Sequence, residues 1–293
     1  MITSDRKNKG AVGFMPRHSA LWFRRGCLNV PAIVVGLAPY EAELQDRIVD
    51  GWKSFSPEID ITAFVQKSKW GSDRILACIY RAYYNHPEIF YLSQIAGLRE
   101  RRSPRGSIEN VSLTGIEYDF KPIEYDTRKR RLDAVVATIM SRLRCIDDDI
   151  QKALLLHDYL VQSCDYDIVA KEGNDRTCLA RTAYSALVRG RAVCEGYAMA
   201  YRYLLNAAGI VSDVAVSDSM NHIWNYVRIQ GRWYHVDVTY DDSVCANGQK
   251  RHDKICRMHF LMSDEKARAT GHRHWDVRGL PPACDQKYDG QYL

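Results

Sequence analysis

The sequence has no uninterrupted run of about 20 apolar residues, which is the length that a helix needs to span a bilayer. The nearest approach is the stretch from Cys27 to Ala38, which is too short and is interrupted by Pro31. Because Arg24 and Arg25 precede this stretch, it imitates the core of a signal peptide, although it begins late for one. We therefore predict no integral membrane segment, and a cytoplasmic protein with export as the alternative.

Paired cysteine motifs of the C-x-x-C kind are also absent. The nine cysteines are an odd number, and they lie singly along the chain. A disulfide scaffold uses an even number of cysteines and forms in an oxidising compartment. The cysteine pattern therefore favours free thiols in a reducing compartment such as the cytosol.

An excess of one charge sign is lacking too, since 41 basic and 36 acidic residues are interspersed and the net charge is only +5. The most concentrated basic stretch, Arg99 to Arg105, contains no aromatic residue. Its end, with Pro104 followed by Gly106, is typical of a solvated loop. Surfaces that bind nucleic acid usually combine clustered basic residues with aromatic ones. We therefore predict no nucleic-acid partner.

Internal repeats and low-complexity tracts are missing, which excludes repeat architectures. A hydrophobic content of 46% and a charged content of 26% are typical of a globular protein. Helical and alternating patterns both occur, and we predict an α+β fold. We divide the chain into an amino-terminal extension (residues 1–40), a small α+β domain (41–125) and a larger carboxyl-terminal domain (126–293). We expect the first helix of the larger domain to begin at Asp126 or Thr127.

Cys194 stands immediately before a helical pattern that ends at Gly209, a plausible carboxyl-terminal cap. The unpaired N–H groups and the dipole of a helix N-terminus stabilise a thiolate, and the same N–H groups can hold an oxyanion. A cysteine before a helix is, however, more often a small buried apolar residue. A nucleophilic Cys194 therefore requires a base elsewhere in the sequence.

A β-hairpin downstream supplies that base. Residues 221–229 and 233–239 are rich in aromatic and β-branched side chains and flank Gln230-Gly231. A two-residue turn places Trp224 opposite Asp237, so that His222 and Asp237 become diagonal neighbours on one face. A carboxylate that orients an imidazole, and an imidazole that takes the proton of a thiol, form a thiol version of the catalytic triad.

Two other histidines are weighed against His222. His235 lies on the same face and is an alternative base, but it stands beside Asp237 on one strand rather than across from it. His157 lies on the apolar side of a helix that we expect to start between Asp147 and Asp149. We interpret His157 as a hydrogen-bonded core histidine, because no nucleophile is near it in the local pattern.

Three blocks of sequence, in this order, resemble the transglutaminase-like superfamily of papain-like thiol enzymes. They are V-C-E-G-Y-A at residues 193–198, N-H-I-W-N at 221–225 and W-Y-H-V-D-V-T-Y-D-D at 233–242. The resemblance covers roughly residues 75 to 276 and includes matches that look similar to bacterial members, namely N-H-P-E-I-F at 85–90, H-D-Y-L at 157–160 and F-L-M-S-D at 260–264. It implies a papain-like, transglutaminase-core fold for residues 126–293, in which the nucleophile helix packs on an antiparallel sheet. The family's catalytic Cys, His and Asp fall on Cys194, His222 and Asp237.

The resemblance also implies further site residues. A second oxyanion donor is expected from a side chain upstream of the cysteine, for which Tyr166 is the candidate and Tyr184 the alternative. Candidates for the substrate cleft are Trp224, Tyr197 and Trp233, although either tryptophan could instead be an ordinary core aromatic.

The implied activity is acyl transfer from an amide through a thioester. The substrate would be a protein or peptide with an amide donor, a glutamine side chain being one such donor, and no cofactor is expected. An amine acceptor would make the enzyme a transglutaminase, whereas water would make it an amidase, deamidase or peptidase. The alternative from another class is a non-catalytic binding domain that has kept the fold.

One segment departs from the family pattern, because Cys245, His252, Cys256 and His259 gather in a polar stretch. His272 and His274 could complete several ligand sets within residues 245–274. These spacings match no common zinc module. We therefore predict no metal and interpret the stretch as a loop that covers the substrate.

Overall fold

A computed structural model describes residues 39–95, 97–174, 179–242, 255–277 and 279–292. Nearly all of the predicted extension, residues 1–40, and the apolar stretch that ends at Ala38 lie outside these ranges. Within them, no helix is both long and apolar enough to cross a membrane. The division of the chain at residues 40 and 125 stays a prediction.

Eight α-helices occur in the described residues. They are α1 (Pro39–Lys53), α2 (Thr62–Ser68), α3 (Ser72–Asn85), α4 (Pro122–Ser141), α5 (Asp149–Ser163), α6 (Cys194–Ala207), α7 (Val238–Asp241) and α8 (Asp264–Ala269). A 3₁₀ turn at Leu179–Arg181 and a π-helical segment at Ser185–Arg189 precede α6.

The predicted first residue is correct for α5 and wrong for α4. Helix α5 begins as expected, because the side chain of Asp148 accepts a hydrogen bond from the backbone N–H of Gln151 at 2.8 Å. Helix α4 begins at Pro122, ahead of the predicted Asp126 or Thr127. Proline at the first position and the bond from the Lys121 N–H to the Glu124 carboxylate, at 3.0 Å, start it early.

The strands form small sheets. In chain order they are β1 (Glu58–Asp60), β2 (Leu92–Gln94), β3 (Gly97–Arg102), β4 (Ile108–Thr114), β5 (Glu117–Tyr118), β6 (Asp165–Tyr166), β7 (Arg191–Ala192), β8 (Ser212–Ser217), β9 (His222–Ile229) and β10 (Arg232–Val236). The two three-stranded sheets, β1-β4-β3 and β10-β9-β8, are antiparallel, β2 pairs with β5, and β6 pairs with β7 in parallel. The basic stretch from Arg99 was expected to be a loop, but Arg99 to Arg102 belong to β3 and only the following residues turn.

The predicted hairpin is confirmed. Strands β9 and β10 pair with His235 opposite Tyr226 and Val236 opposite Asn225, which is the register of a two-residue turn. Gln230 and Gly231 both have positive φ angles, 50° and 80°, as a type I′ turn requires. Strand β8, which no local pattern predicted, pairs with the other edge of β9 and completes the sheet.

Helix α6 packs against this sheet, as the α+β prediction required. Leu204 and Leu205 are fully buried in the core, where each contributes about 2 kcal/mol. The Asn225 side chain of β9 donates to the Ala198 carbonyl of α6 at 2.9 Å. Gly196 allows the close approach behind the helix, since a Cβ there would collide with the carbonyl oxygen of Ala180. The helix ends where Gly209 adopts a φ of 78°.

Candidate active site

Cys194 is the first residue of α6 and is partly exposed, whereas the residues that follow it in the first turns are buried. The N-terminal cap position is Val193, whose side chain supplies no hydrogen bond to the first N–H groups. The positive end of α6 therefore faces the thiol of Cys194 and the space beside it.

Tyr166 reaches Cys194 through the parallel pair β6–β7. Its backbone pairs with Ala192, two residues before the cysteine, and the backbone N–H of Cys194 hydrogen-bonds to the Tyr166 hydroxyl. Burial raises the pKa of Tyr166 well above its ordinary value, so the hydroxyl keeps its proton. The alternative, Tyr184, is buried and stacks on Phe90 with ring centroids 4.8 Å apart.

His222 and Asp237 are hydrogen-bonded neighbours, with Nε2 of the histidine 2.6 Å from Oδ2 of the aspartate. Asp237 uses Nε2, so Nδ1 is the ring nitrogen that can face the nucleophile. The Cys194 side chain hydrogen-bonds to the His222 ring. The three residues that the hairpin geometry and the family resemblance singled out therefore lie together in one chain of hydrogen bonds.

Charge is strongly stabilised in this pair. Burial disfavours the imidazolium form of His222, but the charge of Asp237 and hydrogen bonds to Asp237 and Cys194 outweigh burial and raise the pKa of His222 to about 10. Burial also disfavours the Asp237 carboxylate, but His222 and His272 hold its pKa far below the ordinary range. At neutral pH the two groups form an imidazolium–carboxylate pair.

Asp237 is fully buried, and four hydrogen bonds satisfy it. Its Oδ1 atom caps α7 by accepting the backbone N–H groups of Thr239 and Tyr240 at 3.0 and 3.1 Å. Its Oδ2 atom accepts from His222 and also from Nε2 of His272, which lies 2.9 Å away. From the sequence, His272 was a candidate metal ligand only, since no local pattern connects it with Asp237.

Two aromatic rings lie nearly parallel to the His222 ring. Tyr240 stacks on it at 4.6 Å between centroids and Trp224 at 5.5 Å. Tyr240 remains 42% exposed, whereas Trp224 is buried. These rings fix the plane of the imidazole and shield its bond to Asp237 from water.

Residues 137–238 match the family model of the transglutaminase-like superfamily. This range contains Cys194, His222 and Asp237 in the order that the motif requires. These residues are similar to a transglutaminase-like core. The match supports an enzyme function at the level of the superfamily.

Known proteins show the same likeness. The human protein kyphoscoliosis peptidase is 24% identical over 156 residues, which are 48% of this chain but only 23% of the human protein. A solved structure described as a TGase is 14% identical, covers 57% of this chain and 49% of its own, and has a TM-score of 0.35. A candidate protease from Parabacteroides distasonis is 10% identical, with coverages of 53% and 40% and a TM-score of 0.27. Both TM-scores lie below 0.5, and the fold assignment does not depend on them.

The three candidates for the substrate cleft differ in burial and in position. Trp224 and Tyr197 are buried, and the Tyr197 hydroxyl donates to the Cys164 carbonyl at 2.8 Å. Trp233 is at the far end of the hairpin, where it stacks on Tyr226 at 5.1 Å and lines a separate cavity of about 710 Å³. Trp224 packs against His222 and Tyr197 against Tyr166, and the assignment of a substrate cleft to these residues stays a prediction.

His235 is excluded as the base by its own hydrogen bonds. Trp224 donates its indole N–H to Nδ1 at 3.0 Å, and Nε2 lies 2.8 Å from the Asp264 carboxylate. Burial lowers the pKa of His235, which keeps the ring neutral. Neither nitrogen is left for Cys194.

Cys194, His222, Asp237 and His272 form a first cluster, and a second buried cluster around Asp241 lies close to it. Asp241 binds His157 through Oδ2 at 3.1 Å and His259 through Oδ1 at 2.8 Å. The other nitrogen of His157 lies 3.1 Å from Asp158, and Arg257 pairs with that carboxylate at 2.7 Å. The interpretation of His157 as a hydrogen-bonded core histidine is confirmed.

A metal site finds little support in the described residues. His222, Asp237 and His272 are close enough together to be considered as ligands, but their 2.6 and 2.9 Å hydrogen bonds already account for the group. His259, one member of the predicted Cys/His segment, is instead bonded to Asp241. Cys245 and His252 lie outside the described residues.

Proposed function

We propose that this protein is a thiol acyl-transfer enzyme that acts on amide bonds of proteins or peptides, with Cys194 as nucleophile, His222 as acid and base, and Asp237 as the group that orients His222. One observation carries the proposal. The first residue of α6 is a partly exposed cysteine, and it is hydrogen-bonded to a histidine whose other ring nitrogen is 2.6 Å from a buried carboxylate.

In the first step, the thiolate of Cys194 attacks the amide carbonyl and a C–S bond forms. The negative charge moves to the carbonyl oxygen, where the hydroxyl of Tyr166 can donate a hydrogen bond, joined by the backbone N–H of Cys194 when that group exchanges the Tyr166 oxygen for the oxyanion. When the C–N bond breaks, His222 gives its Nδ1 proton to the departing nitrogen. Ammonia or an amine leaves, and a thioester on Cys194 remains.

In the second step, His222 takes a proton from the acceptor as the acceptor attacks the thioester. Water then releases a carboxylic acid, whereas an amine releases a new amide, and in both cases Cys194 is regenerated. The name of the human relative, a peptidase, supports an amide as the bond that is attacked and water as an acceptor. A glutamine side chain is one amide donor that an enzyme of this kind could use.

A binding domain that had lost catalysis would have no reason to keep this arrangement. A buried carboxylate that holds an imidazolium is costly to desolvate, and it contributes little net stability relative to apolar residues of the same volume. The hydrogen-bonded Cys194, His222 and Asp237 therefore favour catalysis over binding alone.

The direct test is iodoacetamide labelling as a function of pH, with each site mapped by mass spectrometry. We expect Cys194 to label rapidly at about pH 6, where ordinary thiols are protonated, and to lose this advantage in His222→Ala. The exposed cysteines Cys145 and Cys284 serve as internal references in the same sample. Labelling of Cys194 no faster than these references would contradict the enzyme proposal and favour the binding domain.

The acceptor can be identified once the reactive thiol is established. A glutamine-containing peptide is incubated in ¹⁸O-labelled water, with and without a primary amine, and the masses of the products are measured by mass spectrometry. Incorporation of ¹⁸O shows hydrolysis, and addition of the amine shows transfer.

A further inference from the structure

The carboxylate of Asp237 serves two histidines through a single oxygen. Oδ2 is 2.6 Å from Nε2 of His222 and 2.9 Å from Nε2 of His272. An ionised carboxylate carries no proton, so both imidazoles must donate to it. The triad as proposed accounts for the first bond only and leaves the second without a function.

Several contacts hold His272 with its Nε2 directed at this oxygen. Its backbone N–H bonds to the Ala267 carbonyl at 3.0 Å, and Nδ1 lies 3.3 Å from the same carbonyl and 3.4 Å from the Thr270 hydroxyl. Gly271, with a φ of 103°, lets the chain reverse after α8 and return to the site. His272 is fully buried and lies against the last turn of α8.

The hydrogen bond from His272 changes how strongly the Asp237 carboxylate stabilises the proton on His222. Each hydrogen bond to Oδ2 stabilises the negative charge and reduces the charge that remains to hold a proton on His222. Such restraint has a chemical use, because an imidazolium held too strongly gives up its proton too slowly to the leaving nitrogen.

We propose that His272 is a positioning residue that moderates the hold of Asp237 on the His222 proton. This inference rests on the function proposed above. Without the donor of His272, the full charge of Oδ2 acts on His222, and the proton stays on that ring to higher pH.

Other charged or titratable groups also surround His272, and each can influence the result. They are His222 on β9, His235 on β10, Asp237 at the end of β10, Tyr240 on α7 and His259 in the segment before α8. Of these, Asp237 is the hydrogen-bond partner, and the other four are ring or charge contacts. The controls below separate the hydrogen bond from the rest.

The experiment compares His272→Leu, which removes the donor, with His272→Gln, whose amide N–H₂ can donate in its place. Proteins labelled at the histidine ring are titrated by NMR, and the His222 signal is assigned by its loss in His222→Gln. We expect the pH at which His222 loses its proton to rise by about one unit in the Leu variant and to return most of the way in the Gln variant. At neutral pH the downfield Nε2–H proton of His222 should shift in Leu and recover in Gln.

His259→Leu is the matched control, because it removes a buried histidine from the neighbouring carboxylate Asp241. It should lower the free energy of unfolding without moving the His222 signals. If His272→Leu does not fold, His272→Met offers a more flexible apolar replacement.

Unchanged His222 signals in the apolar variant, or an equal change in His259→Leu, would overturn the inference. Labelling of Cys194 at about pH 6 in the wild type separates this failure from failure of the proposed function. Rapid wild-type labelling with an unmoved His222 titration rejects only the function of His272, and slow wild-type labelling rejects the enzyme.

Discussion

Two carboxylates at opposite ends of the short helix α7 have nearly the same surroundings and different consequences. Asp237, at the start of α7, lies between His222 and His272, and Asp241, at its end, lies between His157 and His259. Both carboxylates are fully buried. A carboxylate between two histidines is therefore not by itself the mark of a catalytic centre in this protein.

The two clusters differ in the group that contacts the second ring nitrogen of His157 and of His222. His157 meets a second carboxylate, Asp158, which is paired with Arg257, so the chain of charges is closed. Burial disfavours a charged His157, but the two carboxylates outweigh burial and raise its pKa. His222 instead meets the thiol of Cys194, which is partly exposed at the N-terminus of α6. The first cluster therefore ends at a partly exposed thiol, and the second ends at an ion pair.

The largest expected effect comes from breaking the first cluster. Asp237→Asn removes the charge that holds the His222 proton, and we expect the labelling of Cys194 at about pH 6 to fall by about 100-fold or more. Quantitative mass spectrometry of the labelled Cys194 peptide measures the labelling rate. Asp241→Asn, the same change four positions along, should leave the labelling rate of the folded protein within about threefold. Equal losses in both variants would mean that the clusters are not functionally distinct.

Substitutions in the second cluster should change the free energy of unfolding. Asp241→Ala leaves two buried histidines without their carboxylate, and we expect the free energy of unfolding to fall by about 3–5 kcal/mol. Urea unfolding followed by circular dichroism measures the change. A loss below about 1 kcal/mol would show that the Asp241 cluster does not hold α5, α7 and the segment at His259 together.

One group in each cluster should make a contribution to stability that is lost at opposite ends of the pH range. Burial raises the pKa of Asp241, but its histidines outweigh this and lower the pKa from its ordinary 3.8 to about 2. Its contribution is therefore present above pH 3.8 and is lost as the pH falls towards 2. The pKa of His222 is raised from 6.5 to about 10, so its contribution is full below 6.5 and is lost as the pH rises towards 10.

Urea unfolding at a series of pH values measures both limbs. His222→Gln should flatten the alkaline limb, and Asp241→Asn should flatten the acid limb. An alkaline limb that is unchanged in His222→Gln would contradict the charge state assigned to the His222–Asp237 pair.

The smallest expected effect is at the edge of the second cluster. Arg257 is about one third exposed and pairs with Asp158, so Arg257→Ala should cost about 1 kcal/mol of unfolding free energy. Labelling of Cys194 should not change. A clear drop in labelling would show that the two clusters are coupled, which would weaken the comparison between them.

Much of the site was predictable because it depends on short-range rules. The Gln230-Gly231 turn fixes the register of β9 and β10, and the register alone makes His222 and Asp237 neighbours. Helical periodicity with a terminal glycine was enough to place Cys194 at the start of α6. In each case, the atoms that decide the geometry lie within a few residues of one another or across one turn.

Other features could not be predicted, because their partners are distant in the sequence. The side chain of His272 reaches Asp237 across 35 positions, and the hydrogen bond depends on the packing of α8. The sequence of β8 is a short mixture of polar and apolar residues, and it forms a strand because it pairs with the edge of β9. Trp224 and Tyr197 looked suited to a cleft, but their burial follows from how α6 and the sheet pack together.

The amino-acid sequence by itself determined the α+β class, the hairpin register and the order of Cys194, His222 and Asp237, because periodicity, turn chemistry and motif spacing are local properties. Only the tertiary structure decided which histidines share which carboxylate and which of those groups meets a thiol. Those choices depend on burial and on hydrogen bonds between distant segments, and the free energy of a buried charge is set by the whole set of groups that surround it.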